Sequence, residues 1–351
     1  MSDNHPKECD SPEKTTVQAS TADGRQPPRK RSAKAAQADE ARATEPTKRG
    51  IALARRRGRR EVLALDIAQG PPTIEELGYL AAEFVMCTLP HSDPGDVPVW
   101  TRRDGCFTLS IQAGYDKDGR GYGLPYGPIP RLVLVWLIGG ALRVGPRIDA
   151  GNSLSEFLRK LGYSAYTGRG ERGDATRVLN QISRLFYCLI TFEYWSPLTK
   201  NTVSLRMLPV ERSEFHFDGK TPVTIELGKR FYEAVTARPV PLDLRILDHF
   251  RHSPLALDFY AFAVRESGRA QQQGKDRFVA WEWLDKQLGA NYAEVRNFRD
   301  KMLPFVEELV KLCPRLLVSV QRGGRGQKAG LLFSRFSEPV PRKEPFLLAP
   351  P

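Results

Sequence analysis

The segment TGRGERGDATR, which follows Tyr166, places three glycines at the spacing G-x-G-x-x-G. In a dinucleotide-binding enzyme, such glycines let the backbone approach a pyrophosphate at the N-terminus of the following helix. That chemistry needs a strand before the loop and a helix after it. A nucleotide-dependent enzyme built on this loop would use Gly168, Gly170 and Gly173.

The residues before these glycines predict a helix instead of a strand. In NSLSEFLRKLGY, Leu and Phe recur at i, i+3, i+4 and i+7, which is typical of an amphipathic helix. Ser153 and Glu156 occupy the two positions of a capping box at its start. Helix, glycine-rich turn and helix is therefore the favoured interpretation, and we expect no enzymatic activity, cofactor or metal.

The overall charge indicates an anionic partner. The 351 residues include 53 Lys and Arg against 41 Asp and Glu, a formal charge of +12, which would attract DNA, RNA or an acidic membrane surface. Five scattered cysteines without a C-x-x-C pair predict neither a disulfide framework nor a zinc site, so a reducing cytoplasm is the expected compartment. The longest apolar run, LVLVWLI, is far shorter than the ~18 residues of a membrane span and predicts a buried helix.

Residues 1–60 differ in composition from the rest. They hold 15 Lys and Arg against 8 Asp and Glu, with no aromatic side chain, and such a segment buries too little apolar surface to fold. We predict a disordered basic tail whose blocks PPRKR and RRRGRR either contact phosphates or an acidic partner, or simply keep the chain soluble. Folded sequence is predicted from Glu61, with a first helix over Thr73–Leu89.

Three further helices and a hairpin are predicted within residues 61–218. The helix containing LVLVWLI precedes a strand RID, the NSLSEFLRKLGY helix, the glycine-rich turn and a third helix from Asp174. One face of the third helix is apolar, and the other carries side chains able to grip base edges: Arg177, Asn180, Gln181 and Arg184. The strands CLITFEYW and TVSLRMLPV then form a hairpin with Lys200 at its tip. A polar face of this kind is also found on packing helices, where it is merely solvated.

The same order returns within residues 219–340. SPLALDFYAFAVRES predicts a helix capped by Ser253, RFVA a strand, and WEWLDKQLGA a helix ending at Gly289. The next helix, NYAEVRNFRDKML, has a polar outer side and should kink or break at Pro304. Its base-reading candidates are Arg296, Asn297 and Arg299. A hairpin follows, and its glycine-rich tip carries Arg322, Arg325 and Lys328.

The predicted fold is therefore α+β, with two tandem winged-helix domains, each a helix-turn-helix plus a β-hairpin wing. The disordered tail precedes them, and a Pro-rich C-terminal tail over residues 341–351 follows. Two reading helices would enter major grooves about 10 bp apart, so that one molecule covers about 20 bp. The wings, together with Arg169 and Arg172 in the glycine-rich turn, would contact phosphates.

Several of these segments, taken together and in order, resemble plasmid-encoded replication initiators of the RepA type. They are YGPIPRLVLVWL, NSLSEFLRKLG, GDATRVLNQISRLF, PVPLDL, SPLALDFYAF and YAEVRNFRDKM, within residues 120–340. The resemblance implies two winged-helix domains that bind repeats at a plasmid origin, help to open the duplex and recruit host replication initiation and helicase-loading proteins. It also implies plasmid copy control, repression of the protein's own promoter and a homodimer that exchanges with a monomer. An autorepressor without initiation activity is the alternative, and opening of an AT-rich duplex separates the two.

Other residues suggest further chemistry. His249 and His252 lie one helical turn apart and could bind a metal with Asp248, although a structural role is favoured. Three aromatic side chains near basic residues could stack on unpaired bases, with core packing as the favoured alternative. They are Tyr187, Tyr194 and Trp195.

Overall fold

The computed structural model describes residues 48–163, 174–196, 198–213, 223–289, 292–324 and 326–341. Contacts divide the chain into the units Met1–Arg56 and Arg57–Pro351. Helices alternate with small sheets throughout the described part of the second unit, as the predicted α+β class requires. The predicted domain boundary at residue 218 lies outside the described residues, so the division into two domains stays a prediction.

The first group of elements reaches residue 227. In chain order they are α1 (Lys48–Gln69), β1 (Leu77–Ala81), α2 (Ala82–Met86), β2 (Val99–Asp104), β3 (Phe107–Gln112), β4 (Gly114–Tyr115), β5 (Gly121–Gly123), α3 (Pro128–Val144), β6 (Arg147–Gly151), α4 (Leu154–Lys160), α5 (Asp174–Tyr187), β7 (Leu189–Ser196), β8 (Asn201–Met207), β9 (Val210–Ser213) and β10 (Val223–Leu227).

The second group follows to residue 333. It comprises α6 (Lys229–Ala237), β11 (Pro239–Asp243), α7 (Leu244–Phe250), α8 (Pro254–Gln273), β12 (Arg277–Ala280), α9 (Trp281–Leu288), α10 (Val295–Leu312), β13 (Val318–Gln321) and β14 (Gly330–Phe333).

Helix α1 begins inside the predicted disordered tail. The prediction of disorder is wrong for residues 48–60, which are helical from Lys48; residues 1–47 lie outside the described part of the chain. Farther along α1, Leu63 and Ala64 pack against the core and Ile67 is buried in it. This anchor, together with the good helix propensity of Ala, Leu and Arg, explains why a strongly basic sequence is helical.

The helix predicted over 73–89 is also wrong, since this stretch forms strand β1 and the short helix α2. The predicted cap exists locally: the Glu76 N–H donates to Thr73 Oγ1 at 3.3 Å, and the Glu76 carboxylate accepts from the Thr73 N–H at 2.9 Å. No helix follows, because β1 pairs antiparallel with the distant strand β11 along its whole length. Long-range pairing overrides local propensity here.

The first half follows the predicted order of elements. Elements α3, β6, α4, α5 and the hairpin β7–β8 succeed one another as predicted. The hairpin, however, belongs to a four-stranded sheet of order β2-β3-β7-β8, whereas β6 pairs with β10 in a separate sheet. The core under α5 is formed by Val178, Ile182, Leu185 and Phe186, all buried as predicted.

The last three strands of the second half form one sheet. The order is β12-β14-β13, with Arg277 opposite Phe333 and Phe333 opposite Val318. Ser253 caps α8 as predicted, because its hydroxyl accepts from the Ala256 N–H at 3.3 Å. Helix α9 ends at Gly289, whose φ of 58° is the left-handed conformation that favours glycine.

Of the predicted kink or break at Pro304, the break does not occur, because helix α10 is continuous through that residue. A proline inside a helix removes one backbone hydrogen bond and crowds the carbonyl four residues earlier. Buried side chains on both sides of Pro304 hold the helix against the core, including Phe298 and Met302 before it and Val306 and Leu309 after it. Tertiary packing offsets the local cost of the proline.

One buried ion pair joins the two halves. Arg131 of α3 and Asp258 of α8 form two hydrogen bonds of 2.7 Å each. The remaining donors of Arg131 bind the carbonyl oxygens of Leu89, Pro90 and Gly127 at 2.7–3.1 Å. One guanidinium therefore fixes the loop before α3, the start of α3 and the first turns of α8 together.

Candidate nucleic-acid interface

The glycine-rich turn is preceded by a helix, as predicted. Helix α4 begins after Ser153, whose hydroxyl accepts from the Glu156 N–H at 3.1 Å. The Glu156 carboxylate in turn accepts from the Asn152 N–H at 2.9 Å. Within the described residues, the element before the turn is this helix and not a strand, which is not the setting of a dinucleotide loop. The turn residues themselves lie outside the described residues: Gly168, Arg169, Gly170, Arg172 and Gly173.

The polar face of α5 is narrower than predicted. Arg177 and Asn180 are exposed, but Gln181 is only 6% exposed, and its Oε1 accepts from the Tyr126 N–H at 2.9 Å. The assignment of Gln181 to base reading is therefore wrong, because a buried amide already holds the backbone before α3. A position four residues after Arg177 is compatible with either an exposed or a buried side chain. The packing of residues 124–126 against α5 determines that Gln181 is buried.

Arg184 of α5 is likewise held by the protein. Its guanidinium donates to the Leu124 carbonyl at 3.2 Å, lies 5.1 Å from the centre of the Tyr126 ring and is 3.8 Å from Asp93. Its side chain is 24% exposed. A base-reading role would require Arg184 to leave these contacts, so Arg177 and Asn180 are the stronger candidates on this helix.

The expectation that three aromatic side chains near α5 pack in the core is wrong. Tyr187, Tyr194 and Trp195 are 47%, 40% and 48% exposed. The Tyr187 ring stacks on Tyr122 with centroids 4.4 Å apart, and Tyr194 packs on Phe107 at 4.8 Å. These residues stand at the last turn of α5 and at the outer end of β7, where the elements extend beyond the core. Aromatic surface is therefore exposed at the end of α5 and at the end of β7.

Helix α10 presents its candidate residues as predicted. Arg296 and Asn297 are exposed and Arg299 is half-buried, while Phe298 faces the core. Asp300 lies 2.8 Å from the Arg299 guanidinium and 3.9 Å from that of Arg296. Both ion pairs lie at the surface, where such pairs contribute little and exchange readily with other acceptors. The two arginines can therefore turn toward bases or phosphates.

A clamp that sequence reasoning missed fixes the turn between α9 and α10. Arg102 of β2 is buried, and its guanidinium donates to the carbonyl oxygens of Leu288 at 3.2 Å and Gly289 at 2.7 Å. The Gln287 amide, also buried, donates to the Met86 carbonyl at 2.9 Å. A cation at the carboxyl end of α9 satisfies carbonyl groups that no helical N–H can reach. No sequence pattern indicated Arg102, because its partners lie far away in the chain.

Basic residues occupy the tips of the two hairpins predicted to be wings, β7–β8 and β13–β14. Lys200, between β7 and β8, is exposed and has a φ of 54°. Arg322 and Lys328 are exposed at the tip between β13 and β14, where Gly324 and Gln327 form an isolated bridge. Arg325 lies outside the described residues. The placement of these cations is that expected of side chains that follow a phosphate backbone.

Two members of the candidate metal site, His249 and Asp248, have structural partners. His249 Nε2 lies 2.7 Å from Glu308 Oε1, and Asp248 forms an ion pair with Arg251. Within the described ranges, no group of three or more His, Cys, Asp or Glu side chains could hold a metal ion. A search of those same ranges also found no helix with the length and apolar character needed to cross a bilayer.

Comparison with known proteins finds a family model that matches the middle of the chain. Residues 124–283 match the family model described as plasmid encoded RepA protein, which confirms the resemblance to RepA-type initiators. No curated protein matches the chain. Among solved structures, a selenomethionine derivative of domains 2 and 3 of RctB aligns with a TM-score of 0.43 at 11% identity, covering 72% of this chain and 98% of that one. A second structure of RctB domains 2–3 gives 0.41 at 13% identity, with 72% and 95% coverage.

Proposed function

We propose that this chain, whose residues 124–283 match the family of plasmid-encoded RepA proteins, is a non-enzymatic replication initiator that binds repeated duplex sequences at a plasmid origin. In this role it helps to open the duplex and recruits host replication proteins, in the bacterial cytoplasm and in exchange between homodimer and monomer. The observation that carries the DNA-binding part is the arrangement of α9, α10 and the β13–β14 hairpin in the second half.

That arrangement supports a winged-helix assignment. Helix α8, strand β12, helices α9 and α10 and the β13–β14 hairpin follow one another, and β12 pairs with β14 in a sheet of order β12-β14-β13. We expect this succession of a helix-turn-helix with a wing. Helix α10 would enter the major groove with Arg296 and Asn297 directed to base edges. The exposed tip with Arg322 and Lys328 would lie along phosphates.

The first half supports a second contact of related form. Helix α5 exposes Arg177 and Asn180, and the β7–β8 tip exposes Lys200. Because its hairpin extends a four-stranded sheet instead of pairing with β6, we propose a modified winged helix in which the wing is braced by β2 and β3. Two reading helices in one folded unit would require binding sites spaced by about one helical turn.

The test of this function is fluorescence anisotropy with a duplex from upstream of the protein's own gene and a scrambled duplex as competitor, from low to near-physiological salt. We expect the first duplex to be preferred by roughly a thousandfold or more, and the preference to persist as salt rises. Equal binding that disappears with salt for both duplexes would contradict sequence-specific recognition. Permanganate footprinting of an AT-rich duplex then separates an initiator from a repressor that does not open DNA.

Replacing Lys328 with alanine tests the wing. Because phosphate contacts carry no sequence information, the change should weaken cognate and scrambled duplexes alike and flatten the salt dependence by about one unit of slope. Gln327→Ala, at the neighbouring exposed position, is the matched control and should leave the slope unchanged. A Lys328→Ala protein that loses affinity for the cognate duplex alone would place Lys328 at a base edge instead.

A further inference from the structure

A cleft lies between α2, the start of β11, α8 and the segment after β14. It encloses about 440 Å³. Apolar side chains form much of its wall, among them Met86, Val240 and Val264. Three guanidinium groups also line it, from Arg238, Arg265 and Arg269. The cleft therefore combines apolar surface with clustered positive charge.

One fully buried carboxylate organises this charge. Glu266 is 0% exposed, and its two oxygens accept from Arg265 at 2.9 Å, Arg269 at 3.0 Å and Arg277 at 2.8 Å. Arg238 binds the Glu83 carboxylate at 2.7 Å. Four guanidinium groups thus share two carboxylates, which leaves an excess of positive charge.

The excess positive charge affects the arginines that surround Glu266. Burial lowers the pKa of the Arg265 guanidinium, and the nearby charges of Arg269, Arg277 and Arg238 lower it further, against the attraction of Glu266. At the rim, Glu338 is the acidic side chain that lines the cleft. Together with Glu83 and Glu266 it makes three carboxylates against the four guanidinium groups, so one positive charge remains in excess. A bound carboxylate would relieve this repulsion.

The position of the cleft separates it from the proposed DNA surface. In the β13–β14 pair, Gln321 and Gly330 mark the end next to the wing tip, and Val318 and Phe333 mark the other end. The segment that lines the cleft, Ser337–Val340, follows Phe333 and is held to that other end by the bond from the Leu317 N–H to the Ser337 hydroxyl, 3.0 Å. A wing tip on DNA therefore leaves the cleft accessible.

We propose that this cleft binds a segment of a protein partner in which an Asp or Glu stands next to apolar side chains. The carboxylate is held by Arg238 and Arg269, and the apolar side chains lie against Met86, Val240 and Val264. Duplex DNA fits less well, since a phosphate backbone offers charge but nothing to cover the apolar wall. The inference rests on the proposed function only in naming the partner as a replication protein that is recruited to bound DNA.

The experiment selects peptides on the full chain. A displayed library of random peptides of about ten residues, which span roughly 30 Å when extended, is selected at near-physiological salt. We expect enriched sequences that place Asp or Glu beside Leu, Ile, Val or Phe. Their affinity should fall by about tenfold or more in an Arg238→Ala, Arg269→Ala double variant, since charge-assisted hydrogen bonds are lost.

The matched control is Lys229→Ala with Lys275→Ala, which removes the same charge at exposed positions outside the cleft and should leave peptide affinity unchanged. Should the double variant fail to fold, Arg238→Ala alone serves, because that side chain is 70% exposed.

No enrichment, peptides without acidic residues, or equal affinity for variant and control would overturn the proposal. A loss of cognate duplex affinity confined to the cleft variant would overturn it too, by making the cleft a DNA surface. Failure of the proposed function is distinguishable, because cognate and scrambled duplexes would then bind alike while peptide selection is unaffected.

Discussion

Asp258→Asn is expected to destabilise the folded unit by about 3–5 kcal/mol, since it removes the charge that compensates the buried guanidinium of Arg131. Both side chains are only 5–6% exposed, and Asp258 also lies 2.8 Å from His91 Nε2. Asparagine keeps the size of the side chain, so the loss comes from charge and hydrogen bonding instead of a cavity. Urea unfolding followed by tryptophan fluorescence measures the change in free energy of unfolding.

Asp300→Asn is the control for this prediction. Asp300 also pairs with arginine, at 2.8 Å, but half of its side chain is exposed, so its loss should change stability by no more than about 0.5 kcal/mol. Equal effects of the two substitutions on the free energy of unfolding would mean that burial does not increase the contribution of the Arg131–Asp258 pair to stability.

The same pair predicts an acid dependence. Burial alone would raise the pKa of the Asp258 carboxyl, but the charge of Arg131 and hydrogen bonds from His91 and Arg131 outweigh burial and hold that pKa below its ordinary value. A lowered folded-state pKa contributes stability that is complete above the unfolded value of about 3.9 and is lost as the pH falls through the folded value. The stability difference between wild type and Asp258→Asn should therefore shrink below about pH 4.

The second large effect is expected on DNA. Arg177→Ala and Arg296→Ala should each cost about 1–3 kcal/mol of affinity for the cognate duplex, because a bidentate contact to guanine is lost. The two residues lie on different helices, α5 and α10, each a proposed reading helix, so the losses should add to about 2–6 kcal/mol in the double variant. Anisotropy titrations of the single and double variants measure these changes.

The control for this prediction is again Lys229→Ala with Lys275→Ala, which removes two exposed cations that belong to neither α5 nor α10. The control should weaken cognate and scrambled duplexes equally and only slightly. If the arginine variant also weakened both duplexes equally, the arginines would contact phosphates and the reading-helix assignment would fail. If only one single substitution had an effect, one half of the chain alone would read sequence.

Local patterns in the sequence predicted most of the helices and hairpins. The Ser153 and Ser253 caps, the end of α9 at Gly289 and the strand Arg277–Ala280 all lie where residue types and spacing indicated. These features depend on interactions between residues a few positions apart, so the sequence alone determines them. The apolar stripe of α5 was predicted for the same reason, because helical periodicity fixes which side chains face the core.

Errors arose where distant segments competed with local preference. A capping box at Thr73 is followed by a strand because β11 offers a pairing partner, and α10 passes through Pro304 because both of its ends are packed. The choice of face for Gln181 likewise depended on the backbone of Tyr126. No window of neighbouring residues contains these partners.

The sequence by itself determined the α+β class, the order of helices and hairpins, the basic charge and the set of candidate DNA-binding residues. The tertiary structure decided which of them remain exposed and what holds them in place. Arg131 forms an ion pair with Asp258, and Arg102 donates to carbonyl oxygens at the carboxyl end of α9. In both cases the partners are more than a hundred residues apart in the sequence. Such partners are chosen by the burial of charge and of unsatisfied carbonyl groups, which exists only once the chain has folded.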